Sequence, residues 1–385
     1  MKKLIFITLI LTLFVAISAF GSNTRVLTMG NNNAIIIDDA NIWLFPSRIN
    51  NYPGLAIAEV STGDVNRFGI HWQFGDDSPW VMGTYFEEEL GTFTGYWGFL
   101  PFAPPTDNRR IHWFYGRELG TNKFGFRLSL YNSSQESTDS SPASDKTSFS
   151  YYDTHWGLTA DDGSWDLALN LGFGTWKDEV GGVATFDADG MLDFSVMGRM
   201  FMDKGPRYTY APHAGIEYHK FGWLTPAATE EEKLTAFIID LGMGQVYTPS
   251  NNVEAVFDFG LRLESNKYEY TDGTDTEEEK WSFTTIPYFK IGMDAEVFSW
   301  MDVRLGATSF WQRFKDEFVQ SNPLFSSEDK QGYADNETYL GFGFHWGNFH
   351  VDSYADPQLF LEGLNFISGG DQNMNFQISA TYEML

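Results

Sequence analysis

The chain has 385 residues, 52 acidic against 25 basic side chains, no cysteine, 17% aromatic residues and 37 glycines. A formal net charge of −27 argues against nucleic acid as a partner, because phosphate binding needs the opposite sign. Without cysteine there are no disulfides, thiolate metal sites or lipid-modified N-terminal cysteine.

Lys2 and Lys3 precede the apolar block Leu4 to Ala16, followed by the small residues Ser18, Ala19 and Gly21. This is the layout of a secretory signal peptide, so residues 1–21 are expected to be removed, with the cut after Ala19 or Gly21. Residues 22–53 are turn-rich and differ from the remainder of the chain, which predicts a short periplasmic segment or a plug inserted in a lumen. Within them stand Met29-Gly30, then Asp38-Asp39-Ala40-Asn41, then Phe45-Pro46-Ser47-Arg48-Ile49. The pattern resembles the entry signature of the long-chain fatty-acid transporter family of outer-membrane barrels, and that of related barrels serving the Bacteroidota secretion system. It departs from the family at Phe45, where an Asn precedes the Pro. The resemblance implies a fourteen-stranded transport barrel with Asp38, Asp39 and Asn41 in its plug.

From residue 54 onward the chain alternates. Pro287, Phe289, Ile291, Met293, Ala295 and Val297 form one face of a run, and Tyr288, Lys290, Gly292, Asp294 and Glu296 the other. Side chains on a strand point alternately to its two sides, so this run is a strand with one apolar and one polar face. A turn at Ser299–Asp302 leads to Val303, Leu305 and Ala307, which resume the apolar face. Sixteen such runs are countable between Leu55 and the C-terminus, or fourteen if the short hairpin Leu55–Phe74 stays out of the wall. Tight turns alternate with longer polar links, among them Glu87–Arg110, Lys177–Asp189, Thr225–Lys233, Thr271–Lys280 and Lys315–Glu337. Short periplasmic turns and long outer loops are the topology of an all-β, antiparallel transmembrane barrel. The competing fold is a soluble sandwich built from the same alternation.

Lipid must meet the apolar face, since a charge there costs about 2–4 kcal/mol at the midplane. Phe257, Phe259, Leu261 and Leu263 therefore face out. The same rule lines the lumen with Arg127, Asp193, Arg199, His213, Glu217, His219, Asp240, Glu254, Asp258, Arg262, Lys290, Asp294, Glu296 and Arg304. It also turns His345, His350 and Asp352 inward. Trp165, Trp176, Trp281, Trp300, Trp311 and Trp346, near strand ends, are expected in the interfacial girdles. A lumen of both signs either forms a hydrated passage or pairs off and closes.

His213, Glu217 and His219 are the nearest approach to a metal constellation, but alternating strand positions fit a lumen lining better than a zinc site. Asp187–Gly190 and Asp272–Glu279 lack the twelve-residue calcium loop and read as solvated acidic segments. No nucleophile–His motif supports an enzyme, and no cofactor is expected. The final strand, Met374–Leu385, with an apolar face from Phe376 to Met384, resembles the carboxy-terminal signal read by the outer-membrane assembly machinery, although Leu385 is out of phase. The function expected is passive uptake of small or hydrophobic solutes, with a non-conducting scaffold or secretion accessory as the alternative. Expected partners are outer-membrane lipid, lipopolysaccharide and a secretion component.

Overall fold

The computed structural model describes residues 23–61, 65–75, 79–89, 109–137, 145–180, 183–225, 230–272, 275–321, 324–355 and 376–384. The signal-peptide expectation lies outside the described residues. The strand segments are β1 (Leu55–Ser61), β2 (Val65–Gln73), β3 (Trp80–Glu89), β4 (Arg109–Leu119), β5 (Asn122–Ser137) and β6 (Asp145–Ala160). They continue with β7 (Trp165–Val180), β8 (Val183–Met200), β9 (Met202–Asp203), β10 (Tyr208–Thr225), β11 (Glu230–Ser250) and β12 (Val253–Asp272). The last are β13 (Asp275–Phe298), β14 (Met301–Ser321), β15 (Leu324–Trp346), β16 (Phe349–Ala355) and β17 (Phe376–Glu383).

Each segment pairs antiparallel with its sequence neighbour, and β17 returns to pair with β1 from Leu55↔Glu383 to Ser61↔Gln377. The two-residue β9 continues β8 beyond Phe201 on the same partner, β10. The wall is thus a closed barrel of sixteen strands. The hairpin Leu55–Phe74 does enter it, which corrects the fourteen strands implied by the family resemblance. Closure leaves no unpaired sheet edge, the condition for a sheet to stand in hydrocarbon. Phe257, Phe259 and Leu263 are exposed on the outside, while Asp258 between them is only 1% exposed. Phe298, Trp300, Phe344 and Trp346 stack in a row at the short-turn end, an aromatic girdle. In the two-residue turn between Trp346 and Phe349, Gly347 takes φ +64°, a left-handed conformation that suits glycine.

Three expectations need correction. The links Lys177–Asp189, Thr225–Lys233, Thr271–Lys280 and Lys315–Glu337 are largely not loops, and β7 pairs β8 as far as Val180↔Val183. β13 pairs β14 as far as Glu277↔Gln320, and β14 pairs β15 to Ser321↔Leu324. These extensions stand above the membrane, where the outward face carries lysine and glutamate in place of apolar residues, so the alternation of hydrophobicity that marks a membrane strand is missing there. Trp281 is not in a girdle. An extra residue in β13 between Thr285 and Tyr288, seen against both neighbours, makes a bulge that reverses the side-chain phase. Ile286 is exposed outside, Thr285 and Tyr288 are buried inside, and Trp281 turns inward onto an interior cluster. Trp176 likewise faces inward, 2% exposed, with its indole N–H donated to Asp178 at 3.0 Å.

Candidate functional site: a plugged lumen

Residues Asn23–Asn51 fold inside the barrel at its short-turn end. Helix α1 (Asn23–Thr28) leads to a 3₁₀ turn at Asp39–Trp43 and another at Pro46–Asn51. Asp38 caps the first turn: its carboxylate accepts from Ala40 N–H and its own N–H reaches the Asn41 side chain, a reciprocal box. The segment crosses the whole bore. Thr24 bonds Ser379 of β17, Gly30 backs onto Gly306 of β14, and Ile35 sits on Gly244 of β11. Met29, Ile35, Ile42, Phe45 and Ile49 have no exposed surface. Inward apolar residues of the wall receive them, Ala211 and Val256 on one side and Leu55, Ile57, Val81, Tyr85 and Phe114 on the other. Burial of side chains this size stabilises by about 1.5–3 kcal/mol each, enough to hold the segment in place.

Two ionic clamps fix the plug. In the first, Arg25 reaches Asp38 at 2.8 Å, Asp294 at 3.1 Å and Glu254 at 3.2 Å. Arg304 shares Asp294 at 3.0 Å and also binds Asp302 and Asp352. Burial lowers the affinity of Arg25 for its proton, but the three carboxylates outweigh it and hold the guanidinium charged. Burial likewise raises the Asp38 carboxyl, yet a hydrogen bond shared with the Asp39 carboxyl, the charge of Arg25 and the N–H of Ala40 hold it below the ordinary carboxylate range. In the second clamp Arg48 forks onto both oxygens of Asp166 at 2.8 and 2.7 Å, and Arg199 Nε meets the same carboxylate at 2.6 Å. One carboxylate cannot neutralise two guanidinium groups. Arg199 makes up the difference by donating to the carbonyls of Asn33, Ala34 and Ile36 and to Asn41 Oδ1, and by lying over the Phe45 ring at 4.4 Å.

Above the plug, towards the long-loop end, Arg67 is held between Glu59 at 2.8 Å and Glu87 at 2.7 Å, and Arg110 joins Glu87 at 3.2 Å. Arg127 pairs with Asp153 at 2.9 Å and donates to the Trp43 carbonyl, while Arg67 stacks over the Trp43 ring at 4.0 Å. These groups floor a cavity of about 320 Å³ whose wall includes Tyr131 and Tyr151. The two tyrosines lead into an interior apolar cluster of Phe149, Trp176, Met191, Phe221, Trp223 and Leu234. This apolar lining corrects the expectation of a wholly polar wall. It lies above the membrane belt, where the outer face no longer needs to be apolar and the inner face is free to be.

The other sequence-derived lumen residues fall into two networks and a set at the short-turn end. Asp193 meets His219 at 2.6 Å, with Glu217 3.4 Å from the same ring and Arg262 beside Glu217 at 4.0 Å. His213 lies 3.7 Å from Asp258, 4.0 Å from Asp240 and 3.1 Å from the Tyr288 hydroxyl, and Lys290 donates to the Asn31 carbonyl. His213 and His219 therefore join different networks, and among the described residues no group of side chains is arranged to hold a metal. At the short-turn end Glu254, Asp294, Glu296, Asp302 and His345 line a cavity of about 470 Å³. Asp38, Asp39, His350 and Asp352 open on a second of about 400 Å³. Sequence reasoning missed Glu59, Arg67, Glu87, Arg48 and Asp166. Strand parity would have reached Glu59, which alternates with the exposed Val60.

No family model and no curated protein matches the chain. Among solved structures it is similar to the ferric yersiniabactin uptake receptor FyuA of Yersinia pestis, at 10% identity over 65% of this chain, with a TM-score of 0.43. The chain spans 44% of the length of that receptor. CdiB of Acinetobacter baumannii is similar at 9% identity, covering 86% of this chain and 59% of its own, with a TM-score of 0.44. The alcaligin outer-membrane receptor FauA of Bordetella pertussis is similar at 8% identity, with coverages of 85% and 74% and a TM-score of 0.41. A closed antiparallel barrel, apolar outside and charged within, is the architecture of a Gram-negative outer-membrane protein, and the chain is one.

Proposed function

We propose that the barrel is a passive channel for small or hydrophobic solutes, held shut by its N-terminal segment and opened when that segment loosens. The observation that carries the reading is the pairing of an apolar, aromatic vestibule with a charged floor on one side of a plug that is clamped by ion pairs rather than continuous with the wall. An amphipathic solute would place its apolar part on Phe149 and Trp176 and its polar end near Arg67 and Arg127. The likeness to fatty-acid transporters belongs with this proposal, and its support is the Asp38–Asn41 signature that builds the capped turn of the plug. No catalytic step is part of it.

The test is conductance in planar bilayers. The wild-type barrel is expected to show low, intermittent conductance, and the Arg48→Ala variant a higher and more persistent one. Equal conductance in the two would defeat the gating role. A second reading, a surface scaffold, is favoured by the tall wall of β11–β15. Stoichiometric co-purification of a partner from native membranes, with no conductance in either variant, would support that instead.

A further inference from the structure

On the outside of the tall wall, above the apolar belt, the strands carry a band of lysine and glutamate. On β12 the outward row passes from Leu263 through Ser265 to Lys267 and Glu269, and on β14 from Trp311 through Arg313 to Lys315 and Glu317. The register sets like beside like. Lys267 lies opposite Lys280 and Glu269 opposite Glu278, while Lys315 lies opposite Lys330 and Glu317 opposite Glu328. The ion pairs that form are diagonal or run along one strand, such as Lys267–Glu278 at 2.7 Å, Lys315–Glu328 at 3.3 Å and Lys267–Glu269 at 2.8 Å. Like charges directly opposed destabilise a sheet, and exchanging Lys330 with Glu328 on β15 would remove the second conflict. At the first, one glutamate and one lysine also meet opposite charge on their other side, Glu269 opposite Lys233 and Lys280 opposite Glu317. Stability of the wall therefore does not account for Lys315 beside Lys330.

What the arrangement achieves is to hold two ammonium groups side by side, twice, on the outer face of a chain whose net charge is −27. The four lysine side chains are 36–58% exposed. Lys267 and Lys315 stand four residues above Leu263 and Trp311, about 13 Å along a strand and roughly 9 Å along the membrane normal at a tilt of about 45°. That height is the layer of headgroups. We propose that the outward face of β12–β15 binds the phosphate groups of lipopolysaccharide in the outer leaflet. Lys267 with Lys280 takes one phosphate and Lys315 with Lys330 another, while the acyl chains lie on the belt below. Exposed lysine–glutamate pairs contribute little, so a phosphate carrying up to two charges displaces the carboxylates.

The test uses the full barrel in detergent, with diphosphorylated lipid A as probe and heat-modifiable gel migration to confirm folding. Saturable binding is expected, weakening as salt is raised, and at least tenfold weaker in the variant Lys267→Gln, Lys280→Gln, Lys315→Gln, Lys330→Gln. Equal affinity in that variant overturns the proposal. So does equal affinity of the wild type for phosphate-free lipid A, or for inorganic phosphate alone. Should the fourfold variant not fold, Glu278→Gln with Glu328→Gln decides: removing the competing carboxylates should tighten binding several-fold, and unchanged or weaker binding overturns the assignment.

Discussion

Arg199 shows how much of the plug rests on single side chains. It touches Asp166, three plug carbonyls, Asn41 and Phe45, all out of water. Truncating one partner of a buried, hydrogen-bonded pair costs about 3–5 kcal/mol, because the groups left behind stay buried. Arg199→Ala is therefore expected to free residues 23–51 to an added protease while the barrel keeps its heat-modifiable migration. Arg199→Lys retains the charge but not the fork and should fall between the two. Gly125 is a purely steric counterpart. A Cβ there would lie 2.1 Å from the backbone of Pro46 and Ser47, whereas at Gly198 the nearest atom is 3.6 Å away. Gly125→Ala should displace the plug and raise conductance, and Gly198→Ala should leave both unchanged. Equal behaviour of the two would mean that the plug yields without loosening.

At the scale of elements, the first clamp depends on pH. The folded-state affinity of Asp38 for its proton lies below the ordinary value of 3.8, so the docked plug favours the carboxylate. The stabilisation is present above about pH 4 and is lost as pH falls through the lowered value, where a released plug takes up the proton more readily. Acidification from about pH 6 to about pH 3 should increase channel opening, and Asp38→Asn should show raised opening already at pH 6 with a smaller further response. An unchanged pH response in that variant would place the titration elsewhere. The strands make a separate demand. Phe257 faces lipid and Asp258 the lumen, so Phe257→Arg should lower unfolding free energy in liposomes by about 2–4 kcal/mol if its site is near the midplane. A change below about 1 kcal/mol would mean that β12 sits at another depth.

For the molecule as a whole, the short-turn mouth is acidic. Glu254, Asp294, Glu296 and Asp302 line one cavity there, and Asp38, Asp39 and Asp352 open on the other, with Arg25 and Arg304 the cations lining it. A potential of that sign concentrates cations at the entrance. Reversal potentials across a salt gradient should report cation preference in any open state, reduced by Glu254→Gln and Glu296→Gln together. Anion preference would contradict the assignment of this mouth to the conduction path.

Alternation along each run was enough to read sixteen strands, and to divide Phe257, Phe259 and Leu263 from Asp258 and Arg262, because lipid and lumen impose opposite polarities on neighbouring residues. Above the membrane that pressure ends, so the tall hairpins of β11–β15 read as loops and the inward aromatic cluster went unseen. The bulge in β13 carries no polarity mark either, and it alone turns Trp281 inside. The β7–β8 hairpin sets Asp166 directly opposite Arg199, but Arg48 lies 118 residues from Asp166 and nothing local in the chain brings those two together. Closing the cylinder does so, by setting the register of every strand around one short segment folded in its bore.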